Sequence, residues 1–157
     1  MIKLVPSRNP DVILSFIKGK ALMDKCAGGM EVDSNPDTLR NYIKSGKSTF
    51  LVAVEAEKGK PDKGLGFVVL HSEGGTAMSI HLCLRTIGEK TKRIFALAIN
   101  YIKYVAGCSV VHAVFPEEYR ACQRLAKFFG FKDDPTLKPY YAIKSTLPYV
   151  YKRLDLA

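Results

Sequence analysis

The sequence predicts an α/β fold in which one mixed β-sheet is covered by helices on both faces. Runs of β-forming residues, such as residues 49–55 and 109–115, alternate with segments whose apolar residues recur at helical spacing. No internal repeat or linker divides the 157 residues, so we expect a single domain over residues 1–157. The strand–helix–strand unit between residues 76 and 115 predicts a parallel, right-handed crossover.

The first part of the chain predicts a short strand and two helices. Residues 2–5 are mostly apolar and are followed by a proline, which indicates a short strand. The tripeptide Asn-Pro-Asp occurs at residues 9–11 and again at 35–37. A capping side chain followed by proline and an acid is typical of a helix start. We expect the first helix to continue to Gly28 and the second to end near Gly46.

Three strands are predicted in the middle of the chain. Residues 49–55, 64–71 and 76–84 carry the apolar and β-branched side chains that favour strands. The first two are separated by the polar segment 57–63, and the second two by a glycine-containing turn at 73–75. Connections this short join antiparallel neighbours.

The C-terminal half predicts a helix over residues 91–106, a buried strand, a second helix and two final strands. Pro-Glu-Glu at residues 116–118 indicates the start of the second helix, because acids favour the positive end of the helix dipole. Gly130 ends it. Residues 140–144 and 149–154 are the two strand candidates. The predicted order is β-α-α-β-β-β-α-β-α-β-β.

Composition restricts the partners. The formal net charge is +9, from 24 Lys and Arg against 15 Asp and Glu, which favours a phosphorylated cofactor, nucleic acid or an acidic protein, or else only solvates the surface. Nucleic acid is disfavoured, since no stripe of basic and aromatic residues accompanies the charge.

We expect no membrane span and no signal peptide, and therefore a cytoplasmic protein. The four cysteines are scattered, which predicts reduced thiols and no metal site: Cys26, Cys83, Cys108 and Cys122.

Residues 85–90, Arg-Thr-Ile-Gly-Glu-Lys, are the strongest candidate for a ligand site. They lie between a predicted buried strand and a predicted long helix. Backbone N–H groups at a helix start have no intrahelical acceptor, and the helix dipole adds positive potential, so such a turn favours an anion. The guanidinium of Arg85 matches phosphate in charge and shape. The alternative for Arg85 is a structural ion pair with Glu89 or with an acid on a neighbouring loop.

Together, these features resemble the GNAT superfamily of N-acetyltransferases. Arg85 and Gly88 match the family's turn, Arg/Gln-x-x-Gly-x-Gly/Ala, and Gly130-Phe131 matches the Gly-Phe pair after its last helix. The resemblance implies acetyl-CoA-dependent transfer of an acetyl group to an amine whose identity the sequence does not specify. It is also compatible with a homodimer. It implies pyrophosphate on the amides of residues 86–91 and pantetheine along residues 80–84. The implied cofactor contacts are Leu82, Leu84, Arg85, Thr86, Gly88, Lys90 and Thr91.

The sequence departs from the family pattern at several positions. Lys90 stands where the turn has Gly or Ala, and Glu89 places a carboxylate near the expected phosphates. Ala126 stands where many members carry a tyrosine acid, and Tyr119 where many carry an asparagine. The alternative is therefore a GNAT-like protein without catalysis, serving as a binding or structural component. Such proteins are similar to short divergent members encoded by phages and mobile elements.

The remaining catalytic candidates are side chains on predicted strands. His81 has an ordinary pKa near 6.5, which suits a general base, although a packed structural histidine is the alternative. His112 lies within an apolar run and is interpreted as a buried structural histidine. Cys83 is interpreted as a structural thiol. Four tyrosines near the C-terminus could supply the acid for the thiolate: Tyr140, Tyr141, Tyr149 and Tyr151. Of these, we take Tyr141 as the candidate.

Overall fold

A computed structural model describes residues 1–17, 35–141 and 147–156, and these form a seven-stranded mixed sheet. The strand order is β1-β2-β3-β4-β5-β7-β6. Only β4 and β5 pair in parallel among the described strands. The expected mixed sheet is confirmed. The strands are β1 (Ile2–Pro6), β2 (Thr49–Glu55), β3 (Lys63–Ser72), β4 (Ala77–Leu84), β5 (Val110–Pro116), β6 (Lys132–Asp133) and β7 (Tyr149–Asp155).

The helices begin largely where capping residues place them. The side chain of Asn9 accepts a hydrogen bond from the backbone of Asp11 at 3.0 Å, and Asn35 accepts one from Asp37 at 2.9 Å. Gly46 adopts φ +70° and ends the second helix. Within the described ranges, no helix is long and apolar enough to cross a membrane. The helices are α1 (Pro10–Leu14), α2 (Pro36–Ser45), α3 (Glu89–Tyr104), α4 (Arg120–Phe128) and a 3₁₀ helix (Pro135–Tyr140).

Two apolar layers enclose the sheet, as the sequence predicts. Alternate residues of each strand point to opposite faces, so one strand feeds both layers. The layer beneath α3 and α4 includes Leu51, Val68, Leu70, Ile94, Phe95, Ala98, Ile102, Val111 and Ala126. The layer beneath α1 and α2 includes Ile13, Phe16, Leu39, Ile43, Phe50, Phe67 and Val69.

The second helix of the C-terminal half begins later than expected. Pro116 still belongs to β5, where it pairs with Tyr149, and the backbone N–H of Glu117 donates to the carbonyl of Pro148 at 2.9 Å. These contacts hold the chain extended, and α4 begins only at Arg120. The prediction of acids in its first turn was therefore wrong.

The first of the two expected final strands, over residues 140–144, is described only at its start. Tyr140 ends the 3₁₀ helix, which Asp134 caps by accepting from the backbone of Thr136 at 3.2 Å. Residues 142–146 lie outside the described residues. The strand that pairs with the outer side of β7 is β6, a two-residue strand just after the Gly-Phe pair.

Other boundaries shift more modestly. The helix expected over residues 91–106 spans Glu89–Tyr104. The first helix is confirmed at its start, and α1 ends at Leu14, where Ser15 is its C-cap. The expected continuation to Gly28 was wrong over residues 15–17, which are not helical, and its remainder falls outside the described residues, as does Cys26.

We expect Phe67→Ala to lower the free energy of unfolding by about 3–5 kcal/mol, because truncating a buried phenylalanine leaves a cavity. The Phe67 ring is fully buried on β3, and its centroid lies 6.3 Å from that of Phe16 and 6.0 Å from that of Phe50. Chemical denaturation measures the loss. Phe128→Ala is the matched control, since Phe128 is 61% exposed, and it should cost far less. Equal losses in the two variants would contradict this description of the core.

Candidate functional site

The central feature of the sheet is the separation of β4 from β5. The two strands pair over only three positions, from Ala77 with Val110 to Ser79 with His112. Beyond this point, among the strands that the structure describes, each of the two keeps only its outer neighbour. β4 remains paired with β3 as far as Leu84, and β5 remains paired with β7 as far as Pro116. A V-shaped cleft therefore opens within the sheet, with its apex at the Ser79–His112 pair.

The edge of β4 that faces this cleft carries free backbone groups. The N–H of Arg85 donates to the carbonyl of Leu65 on the β3 side at 2.8 Å. Because successive residues of a strand direct their N–H and C=O groups to opposite sides, those of Leu84 and Leu82 point towards the cleft. The side chains of residues 81–84 are half-buried, so the cleft is not sealed on this side.

The cleft leads to the turn between β4 and α3. Within the described part of the chain, the N–H groups of residues 87–91 have no hydrogen-bond acceptor, and the first that has one is Lys92, which donates to Gly88. Gly88 adopts φ +72°, which favours glycine. The hydroxyl of Thr91 donates to the carbonyl of Thr86 at 2.9 Å and fixes the turn. The turn therefore presents several amide donors on a rigid backbone.

The charged side chains of this turn are held by neighbouring residues. Arg85 donates to the carbonyl of Ser15 at 2.7 Å, and its guanidinium carbon lies 5.0 Å from the centre of the Phe16 ring. Arg85 thus joins the turn to the end of α1. It does not form the ion pair with Glu89 that was one alternative to a phosphate contact. Glu89 instead pairs with Lys92 at 3.3 Å, which offsets the acidic charge beside the amides.

Lys90 extends from the turn past β3 to the end of β2, which lies at the same end of the sheet. Its ammonium lies 3.0 Å from Oε2 and 3.1 Å from Oε1 of Glu55 at the end of β2. The hydrogen bond from Lys90 lowers the pKa of Glu55. The pair is solvent-accessible and therefore weak, so Lys90 can exchange Glu55 for another anion at little cost.

His81 lies on the face of the sheet covered by α1 and α2. It is opposite Val69 of that layer, and His71 and Ser79 form the next pair along. Packing around the imidazole lowers the pKa of His81 to about 4. The ring is therefore neutral at pH 7 and can accept a proton, but it binds that proton weakly. Its assignment as the general base remains a prediction.

Tyr141 reaches the apex of the cleft on the same face. Its hydroxyl donates to Oε1 of Glu73 at 3.1 Å and lies 3.3 Å from Nδ1 of His112. His112 is 9% exposed, in agreement with the expectation of a buried histidine. Burial lowers the pKa of His112, and the nearby charge of Glu73 opposes that shift. The assignment of Tyr141 as the acid for the thiolate remains a prediction.

Other residues considered from the sequence lie on or beside α4, or are cysteines. Ala126, on the inner face of α4, is buried in the layer shared with α3. Tyr119 precedes α4 as its N-cap residue. Cys83 packs against the layer beneath α1 and α2, Cys108 and Cys122 are free thiols, and burial raises the pKa of Cys122. The α4 segment therefore carries neither the tyrosine acid nor the asparagine that the GNAT resemblance would place there.

Sequence reasoning missed the contact of Glu73 and His112 with Tyr141. Glu73 was assigned only to a turn, and His112 only to a core. One signal was available: the three histidines of the chain occur on successive strands of the predicted sheet. The pairings place all three on one face, with His71 opposite Ser79 and Ser79 opposite His112.

With the cleft and turn in place, the chain has the fold of the GNAT acetyltransferases. A GNAT-family acetyltransferase from Bacillus anthracis matches with a TM-score of 0.67 and 11% identity, over 98% of this chain and 93% of that one. The spermidine N-acetyltransferase of Vibrio cholerae, solved with CoA and spermine, matches with a TM-score of 0.72 and 12% identity, over 99% and 94%.

An N-acetyltransferase of Campylobacter jejuni, solved with acetyl coenzyme A, matches with a TM-score of 0.64 and 8% identity over the whole of both chains. At these identities the likeness establishes the fold and leaves the substrate open. No protein-family model and no curated protein matches the sequence.

We expect the free energy of unfolding to fall as the pH drops from about 6.5 to 4, partly because of His81. Its pKa is lowered to about 4 in the folded protein, so the unfolded chain takes up this proton first. The contribution of His81 to the free energy of unfolding is fully present above the pKa of the unfolded chain. It falls by on the order of 2 kcal/mol as the pH drops towards the pKa of the folded protein. Denaturation of wild type and His81→Asn across this range should show a shallower pH dependence in the variant. Parallel curves, or a ring that titrates near 6.5 by NMR, would contradict it.

Proposed function

We propose that this protein transfers an acetyl group from acetyl-CoA to an amine. The observation that carries the proposal is the short parallel pairing of β4 and β5, which ends at Ser79 and His112. The resulting cleft joins a strand edge with free peptide groups to a turn with free amides. An extended arm with an anionic end matches both features.

The cofactor would lie with its pyrophosphate against the N–H groups of residues 87–91. Free amides and the α3 dipole both stabilise negative charge at that position. The pantetheine arm would pair with the backbone of Leu82 and Leu84, which points into the cleft. Thr86 and Thr91 would hold the turn in shape, since their hydroxyls lie 3.0 Å apart. This arrangement retains the cofactor contacts that the GNAT resemblance implies.

Two basic side chains, those of Lys90 and Arg85, would interact with the bound phosphates. Lys90 would turn from Glu55 to the cofactor, exchanging one exposed ion pair for another. Arg85 would add positive potential from its place against Ser15, while keeping the end of α1 fixed to the turn. The net charge of +9 favours an anionic ligand of this kind.

Transfer itself requires a neutral amine beside the thioester carbonyl. The ammonium form must first lose a proton, and the departing thiolate must gain one. Binding both substrates in one cleft would supply most of the acceleration by positioning them. His81 lies on the face beneath α1 and α2, two residues beyond Ser79 along β4, and is a candidate base. Tyr141, at the apex, is a candidate acid. The low pKa of His81 makes it a weak base.

A second function is favoured by one specific observation. Ala126, where the GNAT resemblance expects a tyrosine, is buried in the core and offers no proton donor. A protein that binds acetyl-CoA, or a partner, without catalysis would retain the cleft and need no such group. Release of CoA thiol in the presence of an amine distinguishes the two functions.

We expect acetyl-CoA to stabilise the protein. At about 100 times the dissociation constant it should add about 2.7 kcal/mol, which for a chain of this length raises the melting temperature by about 5–10 °C. S-acetylpantetheine, which lacks the phosphates, should give a smaller shift, and Arg85→Ala should reduce the shift from acetyl-CoA. No shift in wild type at millimolar acetyl-CoA would contradict the proposal.

We expect Glu55→Gln to tighten acetyl-CoA binding by about 2- to 5-fold, since it removes a competing anion and releases Lys90. Isothermal titration calorimetry measures the change. Glu57→Gln is the matched control, because Glu57 pairs with Lys60 on the exposed loop before β3 and should have no effect. Unchanged or weaker binding in Glu55→Gln would exclude Lys90 as a phosphate contact.

A further inference from the structure

His112 occupies a distinctive position in the sheet. It forms the last β4–β5 pair with Ser79, so it marks the point where the two strands separate. Its side chain lies on the face that also carries His71 and His81. In a cofactor lying along the cleft, the thioester carbonyl would be the part nearest the apex. His112 lies directly at that apex.

The hydrogen bonds around His112 fix which ring nitrogen carries the proton. Tyr141 has a single hydroxyl proton, and it is donated to the carboxylate of Glu73 at 3.1 Å. The contact of 3.3 Å between the Tyr141 oxygen and Nδ1 of His112 then requires a proton on Nδ1. In a neutral ring this leaves a lone pair on Nε2, which has no hydrogen-bond partner in the described part of the chain.

We propose that Nε2 of His112 takes the proton from the acceptor ammonium, and that Tyr141 and Glu73 are positioning residues that hold the ring in the required tautomer. The inference rests on the proposed acetyl transfer; it names His112 as the base in place of His81 and makes Tyr141 a positioning residue in place of an acid. The ammonium loses one proton to Nε2, and the neutral amine forms a C–N bond with the thioester carbonyl. The C–S bond then breaks, the second amine proton passes to the thiolate, and His112 returns its proton to water.

The charges around His112 are consistent with a neutral ring at pH 7. Burial lowers its pKa, and Arg153 of β7 lowers it further. Glu73, before β4, raises it, as do Asp134 and Asp155. The carboxylates therefore moderate the effect of burial and keep His112 a stronger base than burial alone would allow. His81 has no such neighbour, since burial alone accounts for its low pKa.

The first test reads the tautomer directly and requires no substrate. With three histidines in the chain, the ring nitrogens can be assigned by ¹⁵N NMR using single histidine variants. We expect His112 to be protonated on Nδ1 at pH 7 in wild type, and Tyr141→Phe to weaken that preference. Tyr104→Phe, at a side chain that is 73% exposed, is the control and should change nothing. A ring protonated on Nε2 in wild type overturns the proposal, because that atom could not accept a proton.

The second test follows thiol release from acetyl-CoA with spermidine, glucosamine and a lysine-containing peptide as amine probes. We expect His112→Asn to lower kcat by about 100-fold or more, with the thermal shift from acetyl-CoA unchanged. Glu73→Gln should move the acidic limb of the kcat profile to lower pH, because it removes a charge that raises the pKa of His112. Glu57→Gln is the control for that change.

The outcomes separate this inference from the proposed function. Full activity in His112→Asn overturns the role of His112 and leaves acetyl transfer standing. An unmoved acidic limb in Glu73→Gln overturns the positioning role of Glu73. Wild type that fails to bind acetyl-CoA, or that binds it and releases no thiol with any of the amines, overturns both the base and the transferase.

Discussion

The structure depends on two antiparallel strand pairs, β3–β4 and β5–β7, that meet at the centre of one sheet. β4 is held to β3 along its full length, and β5 is held to β7 along its full length, but the two meet over three residue pairs only. Unpaired peptide groups inside a protein require other partners, so a gap in a sheet persists only where water or a ligand can fill it. The outer pairings hold the two strands apart, and the cleft follows from them.

Helix α3 turns this gap into a directed site. Its apolar face packs beneath the sheet through Ile94, Ala98 and Ile102, all of them fully buried. That packing fixes where its first turn lies, and the free amides of residues 87–91 follow from the helix start itself. An anion bound at this turn would therefore need no special side chain. This explains how the turn keeps its geometry although Lys90 replaces the small residue expected from the GNAT resemblance.

The two faces of the cleft differ in chemistry. The face beneath α3 and α4 is apolar. The opposite face carries the three histidines, Tyr141 and Glu73 around a floor formed by β4. A cofactor arm needs backbone partners, whereas proton transfer needs titratable groups. In the proposed function, these two requirements would fall to different sides of the same strands.

Local signals in the sequence were sufficient for most elements and for the turn that opens α3. The two Asn-Pro-Asp segments place the starts of α1 and α2, and alternating apolar residues place the central strands. The failures have non-local causes. Pro116 remains in β5 because Tyr149 pairs with it from a distant part of the chain, and this delays α4.

The same distinction holds for the site. The contact of Lys90 with Glu55 spans 35 residues and that of Arg85 with Ser15 spans 70, and no spacing rule reveals either. The contact of Tyr141 with Glu73 spans 68 residues. Sequence patterns located the residues around the cleft, whereas the partners of their side chains depend on tertiary packing.

The most direct measurement is a backbone amide NMR titration of the protein with acetyl-CoA. A cofactor in the cleft should shift the amide resonances of residues 87–91 most, followed by those of Leu82 and Leu84, while the outer strand β1 remains unchanged. Saturable shifts confined to a different surface, or none at all at millimolar acetyl-CoA, would contradict the assignment of this cleft as the cofactor site.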